Sequence, residues 1–458
     1  MAKSTILEEI VSASVREVER SGEAQLERVK LLMGDLVSVA SAGFLSDPKP
    51  LQLYSLLARE SGGPSTVFGL WTKTETLCAV IVNAFSAHTL ELDDWLANSL
   101  MYVGASIVPA VLAFAERSGS TLLRAARAVM LGYEVAGRIG LLLGRRHYRH
   151  WHTSSTAGGG GVAAALVYLT EGASVEDIVK AVYAAMLYAA GLRTKIWKNL
   201  AVKPFSPAHA AFVGLSSLAL KSFISRVDEI FSSSNGLCSL MDGECSVELA
   251  LNPPWRYAVE VTLHKLFPVS RCAQTSVKAA LELHGKVEPE RVREVRLETF
   301  DEAYRLADIV YPLTVEEARF SLSFLVSACI ARGWRGIYDL KSSLHDARVR
   351  ELESKVRVEA REDFAAIYPE RQPARVVVET VNGEVLESYE EKPLGSPSDP
   401  RLRSLIESKI SMLSEISGDF VSRLFCKHLM SADPEATVVE LIEGAKRGTQ
   451  ELCRSRRA

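Results

Sequence analysis

The chain has 458 residues, of which 48% are hydrophobic, and a chain of this length usually builds more than one hydrophobic core. We therefore expect a globular protein of two domains. Its 53 Lys and Arg residues against 56 Asp and Glu residues give a net charge of -3, and the positive residues are spread along the sequence. This balance argues against a nucleic acid or an anionic membrane as a partner.

Residues 5–265 are predicted to form one helix after another, because apolar residues recur at spacings of three and four. The clearest helices are predicted at residues 110–117, 122–143, 162–169 and 175–192. One of them carries small residues at Gly132, Ala136, Gly137 and Gly140. Because small side chains let neighbouring helices approach closely, this pattern predicts a buried helical bundle.

Residues 83–94 end a helical stretch of small residues in three carboxylates, Glu91, Asp93 and Asp94. Acidic groups at the mouth of a buried helix pair are costly unless they are paired or used in chemistry. This cluster is therefore the first place where we expect a functional site. The alternative is structural, since Asp93 or Asp94 could simply cap the following helix.

His152 stands just before a Thr-Ser-Ser-Thr-Ala segment and four glycines at residues 158–161. A helix N-terminus with this backbone freedom could present N–H groups to an anion. The glycines do not form a phosphate loop, because no strand is predicted before them and no Gly-Lys-Ser ending follows. Close helix packing is the better interpretation of the glycines, and a lone histidine in this position is more often structural.

The pattern changes after Pro253 and Pro254. Strands with one solvated face are predicted where apolar and charged residues alternate, at residues 258–263, 292–300, 356–360 and 374–381. The last strand is followed by Asn382 and Gly383, which is a strong hairpin signal. Helical segments separate these strands, so we predict a smaller α+β domain.

A final helical stretch, from about residue 401 to 455, follows a loop rich in Ser and Pro and is expected to return to the helical domain. The predicted fold class is mainly α. A large all-helical domain comprises residues 1–265 and 401–458, and a smaller α+β lid domain comprises residues 266–400. Such an insertion makes a cleft, where small-molecule sites commonly lie.

Several of these segments, in this order, resemble the MmgE/PrpD family, whose members include 2-methylcitrate dehydratase, cis-aconitate decarboxylase and iminodisuccinate epimerase. Residues 83–94 are similar to the family's Asn-Gly-x-x-Ala-His-Ala-Leu-Asp-Phe-Asp-Asp, and residues 131–140 to its Gly-Tyr-Glu helix. Further resemblances lie at residues 152–158, 202–205, 267–271 and 317–322. The resemblance covers almost the whole chain and implies an all-helical domain with a smaller α+β lid, usually in a homodimer.

The resemblance also implies roles for individual residues. His152 matches a histidine of the family and gains a catalytic or binding role, although a structural role is the alternative. Lys203 matches the family's site lysine, where a surface lysine is the alternative. Arg271 would come from the lid and close over the substrate, unless it forms an ordinary ion pair at the domain interface.

The chain departs from the family at several of its site positions. Glu91 stands where the family has an Asp, and Phe324 stands where it has a Tyr. Three family histidines are replaced, by Tyr102, Ser206 and Gln274. Glu91 still offers a carboxylate base that is one methylene longer, and Tyr102 offers a weak acid. His209 lies about one helical turn from Ser206 and could take over its lost function. We therefore expect a retuned site and not a copied one.

Dehydration, decarboxylation or epimerisation of a polycarboxylate needs a cationic cradle, a base and an acid. We predict a cofactor-independent lyase of the dehydratase type that abstracts a proton next to a carboxylate in a small di- or tricarboxylate. The predicted catalytic residues are Glu91, Tyr102, His152 and Lys203. The predicted substrate-binding residues are Asp93, Asp94, Arg271, Gln274 and His209.

Two alternatives stay open. An isomerase or epimerase of a dicarboxylate would need two acid/base groups on opposite faces of the substrate. A catalytically degenerate member would bind a carboxylate without turnover. Glu91 and Tyr102 favour an enzyme, whereas Gln274 and Phe324 favour a binder.

The remaining expectations concern location and metals. The first ten residues contain acids and no apolar segment before a cleavage site, and the apolar runs at residues 162–169 and 184–192 are too short to span a bilayer. We therefore expect a cytoplasmic protein with no membrane partner. The seven cysteines have no Cys-x-x-Cys spacing and the nine histidines no His-x-x-x-His pair, so no disulfide framework, metal site or cofactor is expected.

Overall fold

The structure is a computed structural model that describes residues 4–59, 62–305, 309–368 and 370–455. The chain divides into two compact units, one comprising Met1–Leu263 with Arg403–Ala458 and the other His264–Leu402. The first unit is helical and the second combines helices with a four-stranded sheet, which confirms the predicted fold class. The predicted domain boundaries followed residues 265 and 400, whereas the units divide after Leu263 and Leu402.

The first unit is built from helices of very different lengths. Before the second unit these are α1 Ile6–Glu19, α2 Glu23–Ser46, α3 Pro48–Leu57, α4 Thr76–Thr89, α5 Gly104–Ser118, α6 Leu122–His150, α7 Thr153–Thr156, α8 Gly158–Leu169, α9 Val175–Met186, α10 Arg193–Ile196, α11 Phe205–Leu220, α12 Leu237–Leu240 and α13 Val247–Leu251. Short 3-10 turns lie at Ala97–Ser99, Leu200–Val202, Lys221–Phe223 and Ala258–Glu260. The helices begin where the sequence supplies caps: Thr5 and Glu8 form a capping box at α1, and Ser174 and Asp177 form another at α9.

Close packing of α6, α8 and α11 forms the centre of this unit. A Cβ atom on Gly161 of α8 would lie 2.5 Å from the carbonyl oxygen of Gly132 of α6, and one on Gly214 of α11 would lie 2.4 Å from Cβ of Val162. Neither glycine can therefore be replaced without moving a helix. This confirms that the glycines serve helix packing.

Helix α2 is the longest apolar helix in the part of the chain that the structure describes. By length and composition alone it could cross a membrane, but 89% of its most apolar window is buried inside the protein. A buried core helix can thus have the length and the apolar composition of a membrane span.

Two local features differ from the expectation for residues 5–265. A small antiparallel pair, β1 Ser65–Val67 and β2 Thr72–Thr74, was not predicted, because strands of three residues are too short to show a period of two. The strand predicted at residues 258–263 is wrong. That segment forms a 3-10 turn and a single bridge between Leu263 and Trp95, because no other strand among the described residues lies beside it to complete a ladder.

The second unit packs helices on a four-stranded sheet. Its strands are β3 Val292–Thr299, β4 Val356–Ala360, β5 Ala374–Thr380 and β6 Val385–Glu390. They lie in the order β4-β3-β5-β6, with β3 parallel to β4 and antiparallel to β5. The hairpin predicted at Asn382 and Gly383 joins β5 to β6, and three of the four predicted strands are thus confirmed.

The helices of the second unit are mostly short, and the chain then returns to the first unit. They are α14 Gln274–Leu281, α15 Asp301–Tyr304, α16 Val315–Ala318, α17 Leu322–Arg332, α18 Trp334–Tyr338, α19 Leu340–Ser343, α20 Ala347–Glu353 and α21 Glu362–Ala366, with 3-10 turns at Arg271–Ala273 and Pro289–Arg291. The returning helices are α22 Leu402–Ser417, α23 Phe420–Ser431 and α24 Val438–Ser455, as the sequence predicts. The side chain of Cys453, one of the seven cysteines, is not among those that the structure describes. The other six cysteines are free thiols.

Candidate active site

The acidic cluster lies in a strained turn that follows α4. Glu91 adopts a left-handed backbone conformation with a φ of 52°, which is uncommon for a residue other than glycine. The turn directs three carboxylates into the protein, where Glu91 is 4% exposed and Asp93 and Asp94 are fully buried. Strain of this kind persists only where the surroundings hold it, and it concentrates at functional sites.

His88, in the last turn of α4, links two members of the cluster. Its Nδ1 lies 2.7 Å from Oδ2 of Asp93, and its Nε2 lies 2.7 Å from Nζ of Lys203. Because a lysine ammonium can only donate, Nε2 accepts and Nδ1–H donates to the Asp93 carboxylate. Asp93 therefore fixes the ring so that its Nε2 points at Lys203.

Lys203 enters from the turn before α11 and is 4% exposed. Its Nζ donates to Oε1 of Glu91 as well as to His88, so a chain of contacts runs from Asp93 through His88 and Lys203 to Glu91. The same Nζ lies 4.6 Å from the centre of the Tyr102 ring, within the range of a cation–π interaction.

The Tyr102 ring is held between other aromatic rings. Its centroid lies 4.8 Å from that of His88 and 4.7 Å from that of Trp95. Its backbone N–H donates to Oγ of Ser154 at 2.9 Å. Tyr102 thus joins the acidic turn to the segment that carries His152.

His152 is stacked against Tyr102, with centroids 6.2 Å apart, and lies 6.3 Å from His88. Its burial, together with the positive charge of Lys203, holds the pKa of His152 well below its usual range. The imidazole is therefore neutral at neutral pH and is able to accept a proton. Its Nδ1 is buried and has no hydrogen-bond partner in the described structure.

His209 on α11 contacts the segment around His152. Its Nδ1 lies 3.1 Å from Oγ of Ser155, and the Ser155 N–H donates to the carbonyl of His152. Burial lowers the pKa of His209. His209 is thus in reach of the site segment through Ser155, and its predicted role in place of the lost histidine at Ser206 stays a prediction.

Asp94 turns away from Lys203 and serves the next helix. Its Oδ1 accepts from the N–H of Gly104, the first residue of α5, and its Oδ2 accepts from the hydroxyl of Tyr133 at 2.7 Å. A Cβ atom at Gly104 would lie 2.4 Å from Oδ1 of Asp94 and 2.4 Å from the hydroxyl oxygen of Tyr133, so only glycine fits there. Asp94 therefore bonds to the first residue of α5, although the N-cap position of that helix is Val103, whereas Asp93 contacts His88. The predicted roles of Asp93 and Asp94 in substrate binding stay predictions.

The carboxyl of Asp94 has an unusual acidity. Burial, and next the negative charge of Asp93, raise the pKa of Asp94 from 3.8 to about 7, although the bond from Tyr133 opposes this. Between about pH 4 and pH 7 the folded protein therefore keeps a proton that the unfolded chain has released. The contribution of Asp94 to the free energy of unfolding thus falls as the pH rises through this window.

We expect the substitution Asp94→Asn to remove the decrease in the free energy of unfolding that the Asp94 carboxyl causes as the pH rises. The free energy of unfolding of the unmodified protein, measured relative to that of the variant by urea denaturation, should decrease from about pH 4 to pH 7 with a slope of at most about 1.4 kcal/mol per pH unit. Asp228→Asn is the control, because its carboxylate is exposed and pairs only at the surface with Arg226. A difference between the unmodified protein and Asp94→Asn that does not change with pH would contradict the raised pKa.

The two predicted residues of the second unit make local contacts. Arg271 donates to Oε1 of Glu302 and to the hydroxyl of Tyr368 at 2.5 and 2.9 Å. The Gln274 side chain donates to the carbonyls of Phe267 and Val269 and accepts from the N–H of Phe267. Gln274 therefore fixes the backbone of this turn, and the prediction that both residues bind substrate stays a prediction.

The structure brings the four predicted catalytic residues, Glu91, Tyr102, His152 and Lys203, together around His88. His88 was quoted in the sequence motif but was given no role. The spacing of His88 could have indicated a role, because it precedes Glu91 by three residues in the last turn of α4 and residues at this spacing can interact. Tyr133 and Ser154 were given no role either, although both lie in segments that resemble the family, Tyr133 in residues 131–140 and Ser154 in residues 152–158.

A buried array of carboxylates, imidazoles and one lysine on a helical scaffold is the kind of site that acid–base enzymes use. The chain belongs to the MmgE/PrpD family: the family's N-terminal domain model matches residues 12–249, and its C-terminal domain model matches residues 267–419. No curated protein matches the chain. Members of this family are typically hydro-lyases or related enzymes, so membership supports an enzyme of the dehydratase type.

Proposed function

We propose that this protein is a cofactor-independent lyase that acts on a small di- or tricarboxylate and abstracts a proton next to a carboxylate. The observation that carries the proposal is the buried chain from Asp93 through His88 and Lys203 to Glu91. Removal of such a proton builds negative charge on the substrate, and a fixed cation next to the base stabilises that charge. Lys203 is that cation and Glu91 is the base beside it.

The remaining residues supply the other requirements. Neutral His152 is suited to proton transfer, because it is uncharged at neutral pH and its Nδ1 is not engaged. The Tyr102 hydroxyl is a weak acid that could donate a proton to a leaving group. His88 and Asp93 orient Lys203 and are not themselves required to exchange protons with the substrate.

Two alternatives keep specific support. Epimerisation requires two proton-transfer groups, and Glu91 and His152 are two candidates in one site. Binding without turnover is supported by Gln274, because the amide that stands where the family has a histidine cannot act as an acid or a base. Roles for Arg271, Gln274 and His209 in binding the substrate remain part of the proposal.

We also propose that the protein works without a metal, in the cytoplasm, as a homodimer. The support for metal independence is the chemistry of the donor set, since Glu91 and Asp93 face a lysine and a protonated ring nitrogen. Dialysis against a chelator should leave the activity unchanged. Loss of activity that zinc or iron restores would contradict this part of the proposal.

One experiment separates the three functions. The protein is incubated in D2O with 2-methylcitrate, citrate, cis-aconitate and related acids, and each acid is followed by NMR alongside a thermal shift assay. A lyase forms or consumes an alkene, whereas an epimerase incorporates deuterium next to a carboxylate without losing water. A binder raises the melting temperature and does neither, and an acid present at about 100 times its Kd should add about 2.7 kcal/mol of stability.

A further inference from the structure

Helix α22, which returns from the second unit, carries a buried lysine that reaches the acidic turn. Lys409 is 2% exposed, and its Nζ donates to the backbone carbonyl of Leu92 at 2.9 Å. The same Nζ lies 2.7 Å from Oδ1 of Asp35, which is fully buried on α2. Leu92 is the residue between Glu91 and Asp93, so this contact falls in the middle of the candidate site.

The burial of this ion pair is costly for stability. Taking two charges out of water is costly, and well-packed apolar side chains often replace such pairs without loss of stability. The pair therefore has little value as a stabilising contact alone. What distinguishes it is the carbonyl it holds, because Leu92 follows the strained backbone of Glu91.

We propose that Lys409 is a positioning residue of the active site. It holds the carbonyl of Leu92 so that Glu91 keeps its contact with Lys203 and Asp93 keeps its contact with His88. Asp35 keeps the Lys409 ammonium charged in a buried position. This inference rests on the proposed function for its effect on turnover, but not for its effect on the turn itself.

A double-mutant cycle separates positioning from stability. Lys409→Met removes the donor to Leu92 and leaves Asp35 buried without its cation, so both kcat and the melting temperature should fall. Asp35→Asn should lower the melting temperature and change kcat less, because Lys409 still donates to Leu92. Asp35→Asn with Lys409→Met replaces the ion pair by neutral groups and should recover the melting temperature without recovering kcat.

The expected loss in kcat for Lys409→Met and for the double variant is about tenfold to a hundredfold, with KM changed by less than about threefold. Lys30→Met is the matched control. Lys30 is a buried lysine of α2 that pairs with Glu27 and donates to the carbonyl of Ala432, at 3.0 and 3.3 Å. The kcat of the Lys30→Met variant should equal that of the unmodified protein.

Hydrogen–deuterium exchange tests the same inference without a substrate. Peptides that cover residues 88–104 should exchange faster in the double variant than in the unmodified protein, while peptides of α8 should not change. If no acid is turned over but this exchange rises, the proposed function fails and the positioning role of Lys409 stands. If exchange in residues 88–104 is unchanged, or if kcat recovers together with the melting temperature, Lys409 is a structural residue and the inference is overturned.

Discussion

Lys203→Met is expected to lower kcat about a hundredfold or more. Methionine keeps most of the length of the side chain, but it removes the ammonium that lies between Glu91 and His88 and faces the Tyr102 ring. The Glu91 carboxylate then remains buried without its cation, which favours its protonated form and removes the base. One substitution thus removes the proposed cation and, with it, the ionised form of the proposed base.

A matched control and a double variant make the test of Lys203 sharper. Lys198→Met replaces an exposed lysine of the same segment and should leave kcat unchanged. Lys203→Met combined with Glu91→Gln should be no slower than the slower single variant, because groups that act as a unit are not additive. If kcat of Lys203→Met stays within about threefold of the unmodified protein, Lys203 has no part in the chemistry.

Periodic patterns predicted most of the fold because they reflect burial on one face. The helices of the first unit and strands β3, β4 and β5 were found in this way. The strand predicted at residues 258–263 failed because a period of two marks only the alternation of burial, whereas a strand also needs a neighbour. Ala258 instead donates its N–H to Oε1 of Glu134, a side chain far away in the sequence.

Local sequence patterns also predicted only part of the candidate site. The acidic cluster was visible as a local motif, but the pairing of His88 with Lys203 joins residues 115 positions apart. The contact of Lys409 with Leu92 spans 317 positions and leaves no local signal. Local sequence could therefore indicate which residues carry chemistry, but not which partner each of them would have.

A second large effect is expected for 2-methylcitrate, the substrate that the best-known family members suggest. The site lacks several of the family's histidines at once, and removal of one general acid or base typically costs about a hundredfold to ten-thousandfold in rate. Dehydration of 2-methylcitrate by the unmodified protein should therefore be undetectable or very slow by NMR. Tyr102→His and Gln274→His together should raise it more than either change alone, because each change restores an imidazole that the family has at that position.

The structure indicates what these two changes will cost. Gln274→His removes an amide that makes three hydrogen bonds to the backbone of Phe267 and Val269, and a loss of about 1–3 kcal/mol in stability is expected. Gln274→Met is the control, since it loses the same bonds without gaining an imidazole. Tyr102→Phe is the control at the other position, because it keeps the ring beside Lys203 and removes only the hydroxyl.

The rates and melting temperatures of these variants decide between two accounts of the divergent site. If Tyr102→His with Gln274→His gains dehydratase activity that neither control gains, the missing imidazoles are what separates this chain from a 2-methylcitrate dehydratase. Rapid dehydration of 2-methylcitrate by the unmodified protein would mean instead that Glu91, Tyr102 and His152 already supply the acid and the base. In that case the substitutions are functional equivalents, and the substrate is set by the residues that hold its carboxylates and not by the histidines.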